Sequence, residues 1–221
     1  MQQGMLIERA LDKITPKIIG KVNSAVHGKI IQEAFKPFGV KVKISKDDLV
    51  ATDMIVVTGQ ISQWKVRQSI EVFLNYNPKT LRIELTESIW KQLRFELSQV
   101  LQHELIHRRQ CSYMNTPSEE WIDHNCKVYA SKAVLPKKRE AQEYLGSTDE
   151  IEAHAHCIMM DFKHYFPRTD PIKLLKQARK IPRSKSYTLK DYFVAFDGNM
   201  NHPAMKRLFK KVVYWIENPE A

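Results

Sequence analysis

The chain has 221 residues, 43% of them hydrophobic and 10% aromatic, and a formal net charge of +10. That is enough apolar chain for one buried core with a small second lobe, and too much for a disordered polyelectrolyte. No apolar run approaches the roughly 20 residues needed to cross a bilayer, and Met1-Gln2-Gln3-Gly4-Met5 lacks the pattern of a secretory leader, so no membrane role is expected. Cys111, Cys126 and Cys157 have no C-x-x-C spacing, which argues against a disulfide framework and points to a reducing, cytoplasmic setting.

In chain order, Met5, Leu6, Ile7, Ala10, Leu11 and Ile14 predict a short amphipathic helix ending before Pro16. A second helix is expected from about Ile18 to Phe35, closed by Pro37 and Gly39. The period then changes from helical to alternating. Val40, Val42 and Ile44 alternate with Lys41, Lys43 and Ser45, a half-buried strand with a basic outer face. A more apolar strand is expected within Asp53–Ile61. A third strand carries Ile70, Val72, Leu74 and Tyr76, and Leu81–Leu85 reads as a short fourth after the turn at Asn77-Pro78.

From Thr86 to Gln110 there is neither Gly nor Pro, and Ile89, Trp90, Leu93, Leu97, Val100 and Leu101 recur at helical spacing. Thr86 is the expected N-cap, with Glu87 at the positive end of the dipole and Arg108 and Arg109 near the other end. Beyond Gln110 the pattern weakens, with a helical piece expected around Glu119–Ala130. Ser147 opens another helix, whose stripe Ile151, Ala155, Ile158, Phe162 and Tyr165 runs to about Phe166. A further helix is expected from Pro171, Tyr187–Phe196 is short and aromatic, and Asn201 with Pro203 opens a final helix carrying Met205, Leu208, Phe209, Val212 and Ile216 on one face. A helical start, a small, mostly antiparallel sheet and further helices define an α+β fold.

The chemistry gathers on the long helix. His103-Glu104-Leu105-Ile106-His107 places two imidazoles at i and i+4, one above the other on one helical face. Such a pair can hold one metal ion, and Glu104 then stands beside the ion's water as a base. A catalytic zinc needs a third protein ligand. The helix Asp149–His156 is the expected source, with Glu150 the first choice. Ala153 at i+3 would let the two helices approach, and His154 at i+4 would lie beside the site. Glu152 turns about 160° away, at roughly 100° per residue. It remains an alternative, as does a histidine of the same segment, and Ser147 with Glu150 also matches a capping box. His124 and Cys126 form a weaker metal pair without zinc-finger spacing.

These motifs carry a resemblance. His103-Glu104-Leu105-Ile106-His107 followed by Glu150-Ile151-Glu152-Ala153 resembles the gluzincin branch of the zincin metallopeptidases, in the compact form found in phages and mobile elements. The resemblance spans roughly residues 40–166, and no G-x-x-H follows His107, unlike in metzincins. The N-terminal helices and the last 55 residues are unexplained by it; the expected division is a zincin-like domain over 1–166, including N-terminal helices at 1–36, and a basic helical extension over 167–221 packed on the same domain. The resemblance implies Zn²⁺ on His103, His107 and Glu150, Glu104 as general base and a protein or peptide substrate, with a host-cytoplasmic or virion-associated location if the chain is phage-encoded. Tyr144, Tyr129 and His202 are oxyanion-stabilising candidates by residue type.

SprT-like proteases, which combine the same motif with DNA binding, are the second likeness, although they take a third histidine that is not clearly in place here. From Pro171 to Lys190 the basic residues are Lys173, Lys176, Arg179, Lys180, Arg183, Lys185 and Lys190, with no acidic residue among them. Such a stretch can track nucleic-acid phosphates or meet an acidic partner. A non-catalytic, particle-associated phage protein with the same fold is the third reading.

Overall fold

The computed structural model describes residues 3–62, 69–113 and 138–218, with backbone only at 62 and 111–113. It is an α+β structure of two compact units, Met1–Arg108 and Arg109–Ala221. The formal charge divides equally between them. The first unit has sixteen Lys and Arg against eleven Asp and Glu, and the second has nineteen against fourteen.

In the first unit, helix α1 (Gln3–Ile18) buries Ile7, Leu11, Ile14 and Ile18 at helical spacing. It runs past Pro16 instead of stopping before it. The ring lies on the exposed side with Asp12, whose carbonyl loses its helical donor to Pro16, while Ile18 is wholly buried and favours continuation. Helix α2 (Ser24–Phe35) starts later than the periodicity suggests, because Asn23 caps it by accepting from Ala25 N at 2.8 Å. A 3₁₀ turn at Lys36–Phe38 then ends on Gly39, whose φ of 70° suits a residue without Cβ.

Strands β1 (Val40–Lys46), β2 (Ile55–Ser62) and β3 (Ser69–Tyr76) form one sheet in the order β1-β3-β2. The three strands lie where alternation (β1, β3) and an apolar run (β2) place them, but the sheet is mixed, not mostly antiparallel. β3 pairs parallel with β1, Val40 opposite Ile70, and antiparallel with β2, Ile55 opposite Tyr76. β3 takes the middle because Ile70, Val72, Leu74 and Tyr76 are all fully buried. Gln32 bonds Val40 O and Val42 N, an amide covering part of β1's outer edge.

Leu81–Leu85 is not a fourth strand of this sheet. Its backbone pairs instead with the turn before α2: Gly20 N donates to Leu85 O, Leu85 N to Lys21 O, and Ser24 N to Leu81 O. Ile83 and Leu85 are still buried, so the apolar signal was right about burial and wrong about partner.

Helix α3 (Glu87–Tyr113) follows. Thr86 caps it, its Oγ1 accepting from Ile89 N and its carbonyl from Trp90 N. Trp90, Leu93, Leu97, Leu101 and Leu105 enter the same core as α1, α2 and the sheet. Each such side chain contributes about 1.5–3 kcal/mol by leaving water. Arg94 pairs with Glu8 and Asp12 at 2.7 Å, registering α3 against α1.

The second unit is helical in its described residues. It comprises the end of α3, then α4 (Lys138–Gly146), α5 (Thr148–Tyr165), α6 (Pro171–Lys176), α7 (Tyr187–Ala195) and α8 (Pro203–Glu217). Ser147, Asp170 and Ser186 cap α5, α6 and α7 through their side-chain oxygens. Helix α5 is central and buries residues nearly all round, including Ile151, Ala155, Ile158 and Phe162. Helix α8 packs on it through Met205, Leu208, Val212 and Trp215, and Trp215 Nε1 donates to Glu152 O at 3.2 Å. The helices after residue 166 thus belong to the same compact unit as α5. Among the described residues no helix is long and apolar enough to cross a membrane.

Candidate metal centre

The expected site residues come from two helices, α3 in the first unit and α5 in the second. On α3, the uninterrupted helix places His103 and His107 one turn apart, and their Nε2 atoms lie 2.9 Å from each other. The rings meet edge to face with centroids 4.5 Å apart. Two imidazole nitrogens at about 2.0–2.1 Å from one tetrahedral ion would be separated by roughly 3.3 Å. The pair therefore already converges nearly as a shared cation requires. Without an ion, one Nε2–H can donate to the other nitrogen.

Glu104, one residue on from His103, is buried with only 5% of its surface exposed, and His107 is buried at 9%. A carboxylate so placed faces β2, where Gly59 leaves room for it. Farther along α3, Arg108 donates to Phe38 O at 2.8 Å, holding this end of the helix to the turn before β1.

On α5, Ser147 accepts from Glu150 N at 3.3 Å, so Glu150 lies in the first turn, where the helix dipole favours a negative charge. The residue is 2% exposed, and its carboxylate approaches His154 Nε2 to 3.6 Å. A carboxylate only accepts, so in the tautomer with its proton on Nε2 the imidazole faces Glu150 with an N–H, at a separation longer than a hydrogen bond. His154 Nδ1 is then the acceptor for Tyr192 Oη at 3.3 Å. Burial holds the Tyr192 hydroxyl well above its ordinary value, and the charge of Glu150 adds to this, so Tyr192 remains a donor. The His154 imidazole thus stands between the Tyr192 hydroxyl and the Glu150 carboxylate. The sequence offered no signal for Tyr192 beyond its aromatic surroundings.

Glu152 has a different task. Its carboxylate lies 3.8 Å from Arg109 and 3.7 Å from Lys211, and Gln110 Nε2 reaches it at 3.4 Å. Gln110 also donates to Asp149 O at 3.2 Å. The last turn of α3 is thereby fastened to the first turn of α5 inside the second unit. His156 packs edge-on against Trp215 and is lowered to about 4 by burial, with Lys163 and Arg109 adding to the effect, so it stays neutral.

Of the oxyanion candidates, Tyr144 lies edge-on to His154, with centroids 5.9 Å apart. His202 is the N-cap of α8, its Nδ1 accepting from Ala204 N, and its ring stacks on Phe196. Tyr129, the helical piece at Glu119–Ala130, and the pair His124 and Cys126 lie outside the described residues.

The basic stretch is partly consumed by its own fold. Arg179 donates to Gly198 O, Arg183 pairs with Asp191, and Lys190 donates to Arg179 O. Lys185 lies over the Tyr165 ring at 4.5 Å. Lys173, Lys176 and Lys180 remain exposed.

Compared with protein-family models, curated proteins and solved structures, the chain has no match.

Proposed function

We propose that this protein is a zinc-dependent metallopeptidase with a zincin-like arrangement, in which His103, His107 and Glu150 hold the ion and Glu104 is the general base. The observation that carries the reading is the convergence of His103 and His107 on one helical face, with the buried carboxylate of Glu104 between them in sequence. The donors suit zinc, which takes imidazole nitrogen and carboxylate oxygen and keeps one position for water. Glu150 is preferred to Glu152, whose carboxylate is committed to Arg109, Lys211 and Gln110. His103, Glu150 and His154 make a second set of the same chemistry. The H-E-x-x-H spacing favours the first set, with His154 orienting Glu150.

A zinc ion held there would polarise the scissile carbonyl and draw the pKa of the attacking water towards ~7. Glu104 takes the proton of that water and returns it to the leaving amine. His154, held by Tyr192, stands beside the Glu150 carboxylate and would orient it.

Metal analysis of the purified protein tests this reading. About one zinc per chain is expected, lost in Glu150→Ala and kept in Glu152→Ala. Loss in His107→Ala with retention in His154→Ala supports the first ligand set, and the reverse supports the second. Glu104→Gln is expected to keep its zinc and lose hydrolysis of an unfolded protein substrate. Absence of zinc in the wild type after reloading would overturn the proposal.

A second reading, recruitment of the protease to nucleic acid as in SprT-like enzymes, rests on exposed Lys173, Lys176 and Lys180. Their replacement by Gln should weaken binding to single- and double-stranded DNA alike and flatten its salt dependence.

A further inference from the structure

We infer that Gly59 is the positioning residue of Glu104: the missing side chain on β2 is the space in which the carboxylate is held. The inference rests on the peptidase reading for what Glu104 does, and on the first unit alone for where Glu104 lies.

β2 turns Ile55 and Val57 into the core, and period two places residue 59 on that same face. Gly59 stands there instead of a further apolar side chain, although glycine weakens a strand. Its φ is not positive, so the backbone conformation does not demand it. Space does. A methyl group on Gly59 would fall 2.7 Å from Glu104 Cγ, 2.7 Å from Glu104 Oε1 and 2.7 Å from Val100 Cγ1. Val100 and Glu104 are i and i+4 on α3, so one ridge of the helix lies directly over this point of the strand.

Two of the three contacts are to Glu104, and one of those is to a carboxylate oxygen. The glycine therefore sets the depth and direction of the acid as well as the approach of the helix. A general base must lie within hydrogen-bond reach of the proton it removes, and about 1 Å of misplacement can cost on the order of 100-fold. Confined between β2 and Val100, Glu104 has few rotamers open to it. A methyl group at 59 must push the carboxylate off that position or lift the helix.

The experiment is a double-mutant cycle on the full chain, read by thermal unfolding, zinc content and peptide hydrolysis. Gly59→Ala is expected to lower Tm by roughly 2–10 °C through overpacking. In the Glu104→Ala background, where Cγ and Oε1 are gone and only the Val100 contact remains, the loss should be clearly smaller. Should Gly59→Ala fail to fold, a folded Gly59→Ala/Glu104→Ala double variant is the same result. Zinc should be retained in Gly59→Ala, while kcat falls on the order of 100-fold with KM little changed.

An equal Tm loss in both backgrounds would overturn the inference, because Val100 or the backbone would then be what the methyl meets. Unchanged kcat in an active, zinc-loaded Gly59→Ala protein would also overturn it. A wild type that is inactive but shows the coupling refutes the peptidase reading and leaves the placement of Glu104 by Gly59 standing.

Discussion

His27 and His107 are both buried histidines of the first unit, and what their nitrogens face separates them. His27, on α2, is fully buried and lies 2.9 Å from Lys21 O and 2.9 Å from the Tyr76 hydroxyl. Its Nε2–H donates to the Lys21 carbonyl, and in the neutral ring Nδ1 accepts from Tyr76, whose hydroxyl burial holds well above its ordinary value and so keeps protonated. Both nitrogens are committed to joining the α1–α2 turn to the end of β3. His107 instead presents Nε2 to the Nε2 of His103 at 2.9 Å. Two like nitrogens facing one point is a geometry that a cation completes. Burial alone does not separate the two histidines; the direction of their ring nitrogens does.

The largest effect should come from the carboxylate between the paired histidines. Glu104→Gln is expected to lower peptide hydrolysis about 10²–10⁴-fold, with zinc and Tm close to wild type, as measured by initial rates and metal analysis. If Tm collapsed instead, Glu104 would be a packing residue in the manner of His27. Next in size is His27→Ala, which leaves a cavity and two unmatched polar groups. About 2–4 kcal/mol of stability should be lost in denaturant unfolding, with zinc content unaffected. Loss of zinc there would blur the distinction drawn between the two sites.

A smaller effect concerns acid. Burial lowers the His27 pKa from 6.5, against the opposing bond to Lys21 O. The unfolded chain therefore takes up the proton first, so the contribution of His27 is present above pH ~6.5 and is lost as pH falls below it. Wild-type Tm should fall between pH 7.5 and 5.5 by more than that of His27→Gln. Equal slopes would mean that His27 is not buried as a neutral ring. The smallest change is Glu152→Gln, whose partners Arg109 and Lys211 are 3.8 and 3.7 Å away and partly exposed. A loss of at most about 1 kcal/mol, with zinc retained, is expected.

The local features were legible in the residues. Alternation located β1 and β3, a continuous apolar run located β2, Thr86 and Ser147 announced α3 and α5, and the i, i+4 histidines needed only a helix to converge. Each of these depends on neighbours within about four residues, where helical and strand geometry is fixed by sterics and backbone bonding.

What faces each of those features was decided only in three dimensions. Leu81–Leu85 kept its burial but found the α1–α2 turn instead of the sheet, and β3 displaced β2 from the place beside β1. Glu150 and Glu152 are two residues apart with the same chemistry, yet one lies beside His154 and the other among Arg109, Gln110 and Lys211. Tyr192 reaches His154 across 38 residues, and Gly59 makes room for a side chain 45 positions later. Periodicity says which side of a segment avoids water, but it does not say which of several apolar or charged neighbours will cover that side. That choice is a competition among long-range contacts of similar energy, and it is settled only when the whole core packs.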